Sequence, residues 1–89
     1  MPIAGVVIYT KTEHTQDIIK KLDAMDRVTT YGVHKGNIII AVFEGDTSKE
    51  LEQLTDNISK NITGVLGIYP AYVNFELDEG SPEGDASLN

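Results

Sequence analysis

The sequence has no cysteine and no tryptophan, and only one arginine, Arg27. Without cysteine there are no disulfide staples, no thiolate nucleophile and no Cys-based metal site, and the core must form by packing alone. A single arginine and few lysines, set against a net charge of −7, leave no basic patch to neutralise a phosphate backbone. The N-terminal apolar segment has no preceding basic residue and is too short for a secretory signal. No run approaches the ~18 apolar residues that cross a membrane as a helix. These features are those expected of a soluble cytoplasmic protein. A Gly-rich phosphate loop, a nucleophile elbow and an HExxH pair are also missing. His14 and His34 have no neighbours at metal-ligand spacing and read as solvent-exposed. Asn57-Ile58-Ser59 and Asn61-Ile62-Thr63 match the glycosylation pattern but, without a secretory signal, read as chance.

What is present is one domain's worth of chain, 89 residues. A chain this short buries only about 60–65% of the surface that its unfolded form exposes, so its core is thin. The charge is uneven. Residues 76–89 hold five acidic and no basic residues, which leaves residues 1–75 at −2. We therefore expect a folded domain over residues 1–78 and an acidic tail over 79–89 that buries too little apolar area to order itself.

Periodicity predicts six elements. Ile3 to Thr10 reads as a strand, with Gly5 leaving one spot bare. A helix follows to about Met25, with Thr12 as its N-cap and Ile18, Ile19, Leu22 and Met25 at helical spacing. Val28 to Val33 is a more polar strand broken by Gly32, which suits a sheet edge. His34-Lys35-Gly36-Asn37 turns it into the most apolar run, Ile38 to Phe43. Thr47-Ser48-Lys49-Glu50 is a capping box opening a second helix that buries Leu51, Leu54 and Ile58. Gly64 can close it in a left-handed conformation. Val65 to Leu77 is the last strand, and Pro70 confines it to an edge or a bulge.

The order βαββαβ predicts an α+β, ferredoxin-like split βαβ fold: a four-stranded antiparallel sheet with both helices on one face. The first and third strands then lie in the middle, which matches their apolar character on both sides. The other sheet face is left open. Alternation splits the third strand into Ile38, Ile40, Val42 and Ile39, Ala41, Phe43. With the bulky branched set assigned to the helices, the open face carries Gly5, Val7, Tyr9, Ile39, Ala41 and Phe43. Glu44, Asp46 and Glu76 fall at or beyond strand ends, where carboxylates can hold arginine side chains. An apolar strip of this kind marks a surface for a partner, for a second copy of the chain packed sheet to sheet, or for the tail folded back over it. These uses are open at this point.

Several stretches carry a family resemblance. Gly5-Val6-Val7-Ile8, Gly36-Asn37-Ile38-Ile39-Ile40-Ala41-Val42 and Gly64-Val65-Leu66, followed by an alternating strand with Tyr72 and an acidic tail, resemble the NapD family in order and spacing. Those proteins are cytoplasmic assembly chaperones of periplasmic nitrate reductase. The resemblance implies a non-enzymatic protein without cofactors of its own. It would bind the twin-arginine signal peptide of the reductase's catalytic subunit and delay export until that subunit's cofactors are inserted. The peptide-binding residues would be Gly5, Val7, Tyr9, Ile39, Ala41 and Phe43, with Glu44 and Glu76 for the arginines, and self-association would at most be weak. The acidic charge and an apolar face complement a basic, then apolar, peptide. The alternatives from other classes are a dimeric ACT-like small-molecule sensor and an acylphosphatase-like hydrolase. The hydrolase needs an arginine-bearing anion loop, and Arg27 lies in none.

Overall fold

The computed structural model describes residues 2–74. The elements follow the expected order: β1 (Ile3–Thr10), a 3-10 turn (Thr12–His14), α1 (Thr15–Asp23), β2 (Val28–His34), β3 (Ile38–Glu44), α2 (Ser48–Asn61) and β4 (Val65–Asn74). The end of the last predicted strand, Glu76 and the 79–89 tail lie outside the described residues.

The sheet order is β2-β3-β1-β4, with every neighbouring pair antiparallel. Because β1 and β2 both run against β3, they are parallel to each other, with β3 inserted between them. Likewise β3 and β4 flank β1. These are two interleaved split βαβ units, the ferredoxin-like arrangement. The apolar strands β1 and β3 are central, and the polar β2 and the proline-bearing β4 are edges, as expected. Pro70 sits opposite Val6 beside a register shift that leaves Ala71 unpaired, where a missing N–H does least harm.

One face of the sheet meets both helices. Ala4, Val6 and Ile8 of β1, Ile39, Ala41 and Phe43 of β3, and Val28 of β2 pack with Ile18, Leu22, Leu51 and Ile58 into a single core. Thr10 and Thr15 are also buried there. Their hydroxyl oxygens lie 2.6 Å apart. Thr10 Oγ1 also reaches Asn37 O at 3.2 Å and Thr15 Oγ1 reaches Lys11 O at 3.3 Å, so the polar groups entering the core are satisfied. This clasp ties the end of β1 to the start of α1 and to the β2–β3 turn.

Local signals decide the element ends. Thr12 does not cap α1: a 3-10 turn intervenes, α1 begins at Thr15, and neither start has a side-chain cap. The helix also stops earlier than expected, at Asp23, with the Met25 N–H bonded back to Leu22 O. At α2 the cap forms as expected, with the Glu50 N–H donating to Thr47 Oγ1 at 3.2 Å. The Glu50 carboxylate reaches back one residue further than in the usual box, accepting from the Asp46 N–H at 2.8 Å. The β2–β3 turn has positive φ at both Lys35 (57°) and Gly36 (80°), the backbone of a type I′ turn matched to strand twist. Gly64 has φ 97°, and a Cβ there would stand 2.6 Å from His14 Cβ. His14 is thus half-buried against the β4 entry rather than free in solvent.

Candidate functional site

Antiparallel partners directly opposite each other share a face, so the register assigns every side chain. On β1, Gly5, Val7 and Tyr9 point away from the helices, as expected. Their β3 partners are Val42, Ile40 and Ile38. The expected β3 set is therefore inverted. Ile39, Ala41 and Phe43 are each 0% exposed in the core and do not line the open face. Ile38, Ile40 and Val42 do. The physical reason is that both β3 sets are apolar, so hydrophobicity does not distinguish the faces. The core takes the set that includes Phe43, its largest fully buried side chain, together with Ile39 and Ala41. One signal was present: Glu44, exposed at the strand end, has the parity of Ile38, Ile40 and Val42 and marks that side as the solvent side.

β4 completes the face. Gly67 pairs with Tyr9, Tyr69 with Val7 and Tyr72 with Gly5. Sequence reasoning missed Tyr69 and Tyr72 as surface residues. They are 56% and 59% exposed. Each lies beside a glycine: a Cβ on Gly5 would meet Tyr72 Cβ at 3.5 Å, and one on Gly67 would collide with the Tyr69 ring at 2.8–2.9 Å. Tyr9 and Tyr69 stack edge to face, with centroids 5.6 Å apart and planes at 78°. Val7, Tyr9, Leu66, Gly67 and Tyr69 surround a shallow hollow of about 440 Å³. The result is an aliphatic half on β3 and an aromatic half on β1 and β4, on one continuous surface.

Charge is placed at the margins. Glu44 pairs with Ile3, on the same side as Val42 and at one end of the face. Asp46 is engaged within the chain. Arg27 Nη1 and Nη2 donate to its two oxygens at 3.3 and 3.4 Å, and Glu50 Oε1 lies 3.6 Å from Nη1. The hydrogen bond and charge of Asp46 raise the Arg27 pKa above its ordinary value. His34, opposite Ile38, borders the other end. Among the described residues no cluster of His, Asp or Glu could hold a metal ion, and no helix is long and apolar enough to cross a membrane. The chemistry on offer among the described residues is apolar and aromatic contact, with the Glu44 carboxylate at the margin.

The fold and this surface define a ferredoxin-like α+β domain that covers one sheet face with helices and, among the described residues, leaves the other uncovered. The sequence model of the NapD family, described as NapD protein, matches residues 1–77, and the chain belongs to the NapD family. The solution structure of the E. coli Tat proofreading chaperone protein NapD matches with a TM-score of 0.70 and 22% identity, covering 98% of this chain and 90% of that chain. At that identity the likeness speaks for the fold alone. No curated protein matches.

Proposed function

We infer that this chain is a non-catalytic cytoplasmic chaperone that holds a twin-arginine signal peptide on its open sheet face. The client would be the catalytic subunit of a periplasmic nitrate reductase, kept from export until its cofactors are in place. Membership of the NapD family and the fold shared with a Tat proofreading chaperone support this reading. The observation that carries it is the sheet face that no helix covers among the described residues. Val7, Tyr9, Ile38, Ile40, Val42, Tyr69 and Tyr72 form one apolar and aromatic surface, with Glu44 at its margin.

A peptide with a basic start and an apolar stretch is complementary to that surface. Its apolar part gains contact with the sheet. Its arginines meet Glu44 and the field of an acidic protein. Of the residues expected at the site, Gly5, Val7, Tyr9 and Glu44 remain in the proposal. Ile38, Ile40, Val42, Tyr69 and Tyr72 replace Ile39, Ala41 and Phe43.

The test is an NMR titration of the full chain with such a peptide. The expected result is that resonances of Val7, Ile40, Tyr69 and their neighbours move, while those of α1 and α2 stay in place. Replacing both arginines by glutamine should weaken binding, and so should raising the ionic strength. If micromolar peptide moves no resonance of the open face, the reading fails.

A further inference from the structure

The open face is not uniform along its length. At one end Ile3 pairs with Glu44, and six residues further along β1 Tyr9 pairs with Gly67. At about 3.3 Å per residue, this puts roughly 20 Å between the carboxylate and the hollow. Among the lining residues Val7, Tyr9, Leu66, Gly67 and Tyr69 there is no charge. The face therefore offers its carboxylate at one end and a shallow, uncharged apolar hollow at the other.

The hollow depends on Gly67. The Tyr69 ring folds back over that glycine so closely that a Cβ would sit 2.8 Å from Tyr69 Oη. Tyr9 meets the same ring edge-on from β1. Leu66, unpaired at the register shift between Tyr9 and Thr10, stands on the rim and is 62% exposed. An aliphatic rim, two ring walls and a backbone floor give dispersion contact on several sides. A guanidinium placed there would find no carboxylate among the lining residues.

We propose that this hollow is the anchor for one large apolar side chain, of leucine or phenylalanine type, in the peptide held on the open face, and that Gly67 keeps it open. The proposal rests on the peptide-binding reading above. It assigns the basic and apolar parts of the peptide to opposite ends of the face, as the placement of Glu44 and of the hollow requires. A single buried anchor surrounded by weaker contacts is the usual distribution of binding energy. The 20 Å separation also acts as a ruler. The anchor residue lies about 6 positions from the arginines in an extended peptide and about 13 in a helical one.

The experiment is calorimetric titration of the full chain, as wild type, Leu66→Ala and Gly67→Ala, with a twin-arginine signal peptide and its alanine scan over every large apolar position. Leu66 is exposed, so its truncation leaves the fold intact, as a far-UV CD spectrum and melt can check. Leu66→Ala is expected to weaken binding roughly five- to tenfold. One peptide position should show a similar loss. Combined with Leu66→Ala, that position should lose less than the product of the two factors, which is the mark of direct contact. Gly67→Ala, which displaces Tyr69, should reduce the preference for a large residue at that same position. Peptide binding that persists with Leu66→Ala and Gly67→Ala both unchanged in affinity overturns the anchor while leaving the chaperone reading intact. Coupling to the arginines themselves overturns it as well. A wild type that binds no peptide overturns the reading on which the anchor rests.

Discussion

Ile39 and Ile40 are the same residue in adjacent positions of one strand, and the structure gives them opposite fates. Ile39 is 0% exposed, opposite Ile8 in the core, while Ile40 is 39% exposed, opposite Val7 on the bare face. Replacing each by threonine keeps the branched shape and the strand propensity, so the two variants differ mainly in environment. Ile39→Thr loses buried apolar contact and places a hydroxyl among Ile8, Ile18 and the rest of the core. The unsatisfied hydroxyl costs about 1–3 kcal/mol and the lost apolar area about 1–2 kcal/mol more. Ile40→Thr keeps its hydroxyl in water and loses only part of one side of its packing, under about 1 kcal/mol. A small domain has about 5–15 kcal/mol in total, with melting shifting about 4–8 °C per kcal/mol, so a difference of about 1–5 kcal/mol should make Ile39→Thr melt at least ~4 °C below Ile40→Thr. Thermal melts followed by far-UV CD measure this directly. Peptide titration should give the reverse ranking, with Ile40→Thr the weaker binder under conditions where both variants are folded. If Ile40→Thr is the less stable of the two, the face assignment of β3 is wrong, and with it the composition of the proposed site.

The buried hydroxyl clasp gives a second test. Thr15→Val should cost about 1–2 kcal/mol in urea unfolding, and the double variant with Thr10→Val should cost less than the sum of the singles, because both remove the same 2.6 Å contact. The two left-handed glycines Gly36 and Gly64 should respond unequally to alanine. At Gly36 a Cβ meets nothing within 4 Å, so only the backbone strain of about 1 kcal/mol applies. At Gly64 the collision with His14 adds to the strain, and the loss should be larger by a margin that His14→Ala reduces. Lys35 holds φ 57° in the type I′ turn, a conformation that asparagine tolerates better. Lys35→Asn should therefore stabilise by a few tenths to about 1 kcal/mol, read as a raised denaturation midpoint without a change in slope. The ACT-like alternative requires a stable dimer, so light scattering that finds a monomer at tens of micromolar would remove it.

Much of the fold was legible because each signal for it is local. The Thr47–Glu50 pairing is written within four residues, and the glycine after α2 lies just beyond its end. Pro70, which has no N–H to donate to a ladder, restricted β4 to an edge or a bulge, and the structure has both. The edge position of β2 follows from its polarity and from Gly32. The end of α1 was less legible: Met25 continues the helical spacing of Ile18 and Leu22, but the backbone has already closed back on Leu22. Arg27 at φ 71°, anchored to Asp46, then redirects the chain into β2 by a contact 19 residues apart that no local pattern announces.

By itself the sequence determined the element order, the central place of β1 and β3, and the presence of a sheet face that no helix covers among the described residues, because a chain of this length has helices for one face only. The composition of that face was a tertiary decision. β3 is apolar on both sides, and a one-residue change of register exchanges its two sets entirely. Only the pairing of Ile8 with Ile39 and of Val7 with Ile40 settles which set is inside. The separate pairing of β4 with β1 brings Tyr72 over Gly5 and sets Tyr69 against Tyr9, some sixty residues earlier in the chain. The aromatic half of the surface thus exists only once β4 has docked against β1. No periodicity within a single strand encodes that contact.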